Sequence, residues 1–345
     1  MKALFPKHKF WNRLTWTLLF WTCSSLSFAQ EGPPEIPLKK LFQPKGTHRA
    51  PFKKAKEIGL ASVNLRFKTA TREYNSDRYN GSVVTWAFLD GVDETLFQEI
   101  TDIYYERLKQ AFAAEGYSLS DQYRTTKAYG DLAEKAQNRS RLTDNKNWGI
   151  AEIFTANQEP YIEYPLMMTA SGKIGNEAKM PVGTLLVTID FAEIVQSITK
   201  SYPFALPHEM KTVETSAKST LVPMIRIEGV TSSKVFGGDG TYAKFVGDNW
   251  SYSNAILMET PIYTTTPFAI DIEKSKGFPA RMNKFKSPIL SDLVALGSLG
   301  TASTKRGDAE FMFLVKTDRN RYKHAVLTAL DQWNKYLIAY IKANN

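Results

Sequence analysis

Cysteine is almost missing from this chain: Cys23 is the single one in 345 residues. Once the first 29 residues are set aside, for reasons given below, no thiol remains. That excludes disulfides, thiol nucleophiles and thiolate metal sites. Histidine is nearly as scarce. Only His8, His48, His208 and His324 occur, and no HxH or HExxH spacing brings two together, so no metal centre is expected. The nucleophile motif GxSxG is absent, since Gly297-Ser298-Leu299-Gly300 lacks its spacing. Ser171-Gly172-Lys173 lacks the earlier glycine of a phosphate-binding loop. Gly238-Asp239-Gly240-Thr241-Tyr242-Ala243 matches GxGxxA by letter, but Tyr242–Val246 reads as a strand. A dinucleotide site needs a helix N-terminus there to hold the pyrophosphate, so the glycines read as a hairpin turn. No catalytic residue and no cofactor are expected, and the reading leans away from an enzyme.

What is present begins with an export signal. Lys2, Lys7, Lys9 and Arg13 form a basic start without an acid, and a mostly apolar run follows from Leu14 to Ala29. It closes on Ser27-Phe28-Ala29, with small residues at the two positions a signal peptidase reads. A membrane-spanning helix needs about 20 mostly apolar residues. This run is shorter, and Thr22, Ser24, Ser25 and Ser27 interrupt its second half. A lipid-modified Cys23 is disfavoured by Thr22 before it and by Phe20 where a leucine is usual. Residues 1–29 are therefore expected to be a cleaved signal peptide, and the mature protein an exported one: periplasmic, outer-membrane associated or extracellular.

The net charge of +9 suggests nucleic acid until it is divided along the chain. The signal holds four basic residues and no acid, which leaves +5. Residues 30–56 carry Lys39, Lys40, Lys45, Arg49, Lys53, Lys54 and Lys56 against Glu31 and Glu35, again +5. Residues 57–345 therefore sum to zero, and no nucleic-acid partner is expected. The basic stretch also holds Pro33, Pro34, Pro37, Pro44 and Pro51, a composition poor in apolar surface and suited to an extended, flexible arm. Its charge leaves attraction to an anionic surface open beside a plain linker role. Residues 57–345 form the globular body, with a further division placed near 200–215.

Within the body, Val63, Leu65 and Phe67 alternate with Asn64, Arg66 and Lys68, a half-buried strand. Val83–Leu89 is apolar on both faces apart from Thr85 and reads as a central strand. Asp93 then caps a helix near 93–115 with apolar positions at Leu96, Phe97, Ile100, Tyr104, Leu108 and Phe112, stopped by Gly116. A short return strand at Tyr117–Ser120 and a helix over about Lys127–Arg139 follow. Further strands are expected at Gly149–Thr155, Tyr161–Met168, Gly183–Phe191, Thr220–Thr231, Thr241–Phe245 and Phe268–Glu273, with Pro223 marking an edge or a bulge. Ser287-Pro288 opens a short helix, and Phe311, Phe313 and Val315 mark a last strand. Asp318 caps a C-terminal helix near 318–343 whose apolar side is Tyr322, Val326, Ala329, Trp333, Tyr336 and Tyr340. The expected class is α+β, a mostly antiparallel sheet packed by those two long helices.

The strand Ile58–Phe67 and the later helix ending in Ala114-Glu115-Gly116-Tyr117-Ser118-Leu119 resemble the opening of the envelope domains in the TolB and curli-secretion (CsgG-like) families. The resemblance covers about 60 residues and is one of element order. The Val83–Leu89 strand and the missing lipobox depart from it. It implies an envelope assembly or interaction role without catalysis, and it carries over no site residues.

The aromatic residues point to one binding region. Trp250, Tyr252 and Tyr263 stand in a stretch rich in Ser, Asn and Thr, beside Asp248 and Asn249. Flat rings with amide and carboxylate neighbours suit stacking on sugars or peptides, and ordinary packing uses the same residues. Asp271 and Glu273 share one face of a predicted strand, where paired carboxylates could do acid–base work. The leading expectation is thus a non-enzymatic binding or assembly protein with a protein or envelope-surface partner, with homo-oligomerisation left open. The alternative is a glycan-binding protein or a cysteine-free hydrolase using the Trp250 region.

Overall fold

Phe67 and Phe97 stack at 4.5 Å, with ring planes 14° apart, and Phe154 closes on both. This pair joins the central strand to the first long helix. Tyr322 of the C-terminal helix meets Phe97 at 6.1 Å and Phe268 at 5.9 Å. Truncating one such ring costs about 3–5 kcal/mol, so a few of them fix how helices lie on the sheet.

The computed structural model describes residues 36–46, 52, 55–77, 81–136, 142–145, 149–159, 161, 164–201, 214–230, 240–247, 253–275 and 309–345. The stretch Pro37–Asn345 forms one compact unit. In chain order its strands are β1 (Phe42–Gly46), β2 (Glu57–Asp77), β3 (Gly81–Asp90), β4 (Ser118–Leu119), β5 (Leu142–Asn145), β6 (Gly149–Thr155) and β7 (Val182–Ser201). Then come β8 (Glu214–Ile227), β9 (Tyr242–Val246), β10 (Ser253–Met258), β11 (Ile262–Tyr263), β12 (Ala269–Lys274) and β13 (Ala309–Thr317). The helices are α1 (Leu38–Leu41), α2 (Glu94–Ala114), α3 (Lys127–Ala136), α4 (Tyr164–Ala178) and α5 (Arg319–Asn344).

The main path of the sheet runs β1-β10-β9-β7-β2-β3-β13-β12. Most pairings are antiparallel; β2–β7, β3–β13 and β2–β4 are parallel. The α+β class and the two long helices expected from the sequence are what the structure has. Asp93 accepts a hydrogen bond from the Leu96 amide at 2.9 Å and starts α2. Gly116, at φ +78°, lets the chain leave it, and β4 then lies parallel to the start of β2. Asp318 accepts from the amides of Asn320 and Arg321 and starts α5. The turns from β3 into α2 and from β13 into α5 pass close together. Gly91, at φ +89°, would place a Cβ 2.0 Å from the Thr317 carbonyl oxygen, so only glycine fits.

Tyr161–Met168 is not the strand the sequence suggested, because residues 164–178 are helical. Pro165 stands in the first turn of that helix, where its missing N–H costs nothing. Pro223 is at an irregularity, opposite Ala192 just past a break in the β7–β8 register. The helix predicted at Ser287 and all of the glycine turn except Gly240 lie outside the described residues.

Part of the basic stretch belongs to the body. β1 pairs with β10. Phe42 meets Trp333 at 5.5 Å and Tyr340 at 5.1 Å. Phe52 is fully buried against Tyr117 and Phe245, and its amide donates to Asn345 Oδ1 at 3.1 Å.

Candidate functional site

The polar side of β2 is not wet. Asn64, Arg66 and Lys68 are 1%, 6% and 3% exposed. A buried charge needs a partner, and the neighbouring strands supply them. Lys68 Nζ lies 2.9 Å from Asp190 on β7 and 2.6 Å from Glu228 just after β8. Arg226 on β8 reaches the same two carboxylates at 2.8 and 2.9 Å. Asp190 Oδ1 also accepts from Thr71 Oγ1 at 2.5 Å and from the amides of Phe191 and Ala192 at 2.8 and 3.3 Å. Two cations and two anions thus share one buried network at the point where β7 passes from β2 to β8.

The backbone prepares this place. β7 runs beside β2 as far as the Phe67–Ile189 pair, and β3 pairs with β2 from Ala70 onward. The register shifts between Lys68 and Ala70 on β2, and between Asp190 and Ala192 on β7. Bulges of this kind turn a strand and re-aim its side chains. Gly149 serves the first of them: at φ +114°, a Cβ there would lie 2.0 Å from the Ala70 carbonyl oxygen.

The two carboxyls are driven apart. Burial alone would raise Asp190, but Lys68, Arg226 and the Thr71 hydroxyl hold it well below the usual carboxylate range. Burial, helped by the Asp190 charge, pushes Glu228 up in spite of Lys68 and Arg226. Lys68 is raised: against desolvation, its two carboxylates favour the ammonium. Five donors occupy Asp190, so it has no free lone pair with which to take a proton from a substrate. The arrangement pins three strands and holds charge.

A second polar cluster ties down the loop after β6. Arg124 pairs with Glu159 and, at 3.5 Å, with Asp121. Tyr129 donates to Glu159 at 3.0 Å, and Arg124 Nε donates to Tyr123 Oη at 3.2 Å. Burial, with Asp121 nearby, pushes Tyr105 up to about 12. Among the described residues no group of three or more His, Cys, Asp or Glu could hold a metal ion, and no helix is long and apolar enough to cross a membrane.

Of the binding residues chosen from sequence, Asp248, Asn249, Trp250 and Tyr252 lie outside the described residues. Tyr263 is on β11, 39% exposed, paired with Arg226 at the margin of the ion network. Asp271 and Glu273 do share one face of β12 and are exposed. Glu273 pairs with Lys316. The network itself was missed in the sequence, although Asp190 carried a signal. It is a lone acid in the apolar run Leu185–Phe191, and such a residue in a central strand calls for a buried cation. No protein-family profile, curated protein or solved structure matches the chain.

Proposed function

We propose that this chain is an exported cell-envelope protein that acts by binding a protein partner, not by catalysis. The observation that carries the reading is the outer edge of the sheet. Strand β12 pairs only with β13 among the described residues. It presents Ile270 and Ile272 at 56% and 39% exposure. Asp271 and Glu273 occupy its other face, but an edge strand with an exposed apolar face remains a template for pairing with another chain. The order β2, β3, α2, β4 keeps the strand, helix and return strand on which the resemblance to envelope assembly domains rests, with β3 inserted, and the signal-like N-terminus supports export. Asp190, the central acid of the best-built polar site, is fully engaged by its own neighbours, which favours a scaffold over an enzyme.

The test is capture by the tagged mature chain from the host's envelope fraction, with cross-linking and mass spectrometry. A reproducible protein partner is expected, reduced at least about tenfold by Ile270→Lys with Ile272→Lys, since a charge there opposes strand pairing. Unchanged capture by that variant would remove β12 from the account. Turnover or retention of glycan would move the weight to the alternative reading, in which Tyr263 and the Trp250 region bind sugar and Asp271 with Glu273 act on it.

A further inference from the structure

The β7–β8 hairpin is longer than its core. β7 has 20 residues and β8 has 14, whereas strands in globular proteins average about 5–6. Its root is apolar and pinned. Ile189, Phe191, Ala192, Ile225 and Ile227 are fully buried, and the Lys68–Asp190–Arg226–Glu228 network closes the same point.

Past Ala192 the character changes. Val195 and Val222 are 55% and 38% exposed. Part of the contact between the outer hairpin and β2–β3 is polar. Thr85, fully buried on β3, donates to Ser219 Oγ at 2.8 Å and accepts from Gln196 Nε2 at 2.6 Å. Gln196 Nε2 also reaches the Glu73 carbonyl at 3.2 Å. Gln196 Oε1 is buried and accepts no hydrogen bond among the described residues. Among the described side chains of the outer half, Leu221 is buried and Ile194 and Ile198 are half-buried. Hydrogen bonds of this kind exchange for water at small net cost, and releasing an orphaned amide oxygen to water is a gain. Apolar burial gives no such return.

We propose that the outer half of this hairpin, residues 193–201 with 214–222, is a flap that lifts from β2 and β3 as a unit while its root stays fixed. Its cross-strand pairing from Glu193–Val222 to Ser201–Glu214 travels with it. The contacts given up are those around Thr85, Gln196 and Ser219. Lifting uncovers the Thr85 side of β3 and frees the inner side of the hairpin. This inference is independent of the edge-strand reading of β12.

Two measurements on the full mature chain test it. The first places spin labels at Tyr74→Cys and Val195→Cys, both exposed positions outside the contact. The expected distance distribution has two populations, one short and one long. A single narrow population would overturn the proposal. The second follows thiol labelling of Thr85→Cys against Thr101→Cys, which is fully buried in α2. The expected result is labelling of Thr85→Cys about a hundredfold faster with little dependence on denaturant, the mark of a local opening. Equal rates with the same steep denaturant dependence would mean that the flap opens only when the whole protein unfolds. Should Thr85→Cys fail to fold, the spin-label pair still decides the question, since neither label touches the contact.

Discussion

Strands β2 and β7 each pass through two environments, and their inner and outer halves are held by different forces. Every residue from Ile58 to Thr71 on β2, and from Val182 to Ala192 on β7, is buried. The rings of Phe67, Phe97, Phe154 and Tyr322 pack there, and Lys68, Asp190, Arg226 and Glu228 meet one another's charges on the spot. Beyond those points Glu73–Ser76 on β2 are exposed, and β7 alternates between half-buried and exposed residues from Ile194 to Ile198. The comparison teaches that strand length and core size are separate quantities in this fold. Backbone pairing continues well past the place where burial stops, so stability should fall along a single strand.

Substitutions on either side of that line break or sharpen the contrast. The largest effect is expected at the junction. Asp190→Asn leaves Lys68 and Arg226 buried with one carboxylate between them, and removing one partner of a buried network costs about 3–5 kcal/mol. Chemical denaturation would read this as a lower midpoint with an unchanged slope.

The two carboxyls of the network make a subtler test, because their linkage to pH has opposite signs. Asp190 is depressed in the folded state. Its stabilisation is present above its ordinary value of 3.8 and is lost as pH falls toward the depressed one. Glu228 is raised. Its folded form favours the proton, so its contribution is fullest below 4.5 and is lost as pH rises through the folded value. Lys68 is raised above 10.5, so its share persists to that pH and is lost as pH rises through its folded value. Glu228→Gln should therefore cost less than Asp190→Asn at pH 7, and it should flatten the fall in stability between mildly acidic and neutral pH. Thermal melts across that range check both statements.

The smallest effect is expected in the outer half. Val195→Thr lies on an exposed face and should change unfolding free energy by less than about 0.5 kcal/mol. A large loss there would mean that the outer hairpin belongs to the cooperative core.

Much of the frame was legible in the sequence, for local physical reasons. Asp93 and Asp318 announce helices because a capping carboxylate works over three residues, and Gly116 ends one because its backbone must turn to positive φ. Alternation along Val63–Phe67 gave the strand and its apolar face. It could not tell that the other face is buried too. Asn64 looks solvated until Leu185 is brought beside it, and Lys68 until Asp190 and Glu228 are, all from more than a hundred residues away. Tyr161–Met168 misled because apolar and aromatic residues suit a strand, while Pro165 also suits the first turn of a helix. The packing of Phe42 and Phe52 was hidden by their basic, proline-rich neighbours. The polar contact at Thr85 has no sequence signature, since Thr, Gln and Ser read as ordinary surface residues until the hairpin folds over them.

Hydrogen exchange mapped along the intact mature chain tests the central contrast most directly. The account predicts that amides of residues 58–70 and 182–192 exchange only through global unfolding. Amides near the ends of the outer halves, around 74–77 and 197–201, should exchange at least about a hundredfold faster by local opening. A single level of protection along the whole of β2 and β7 would contradict it.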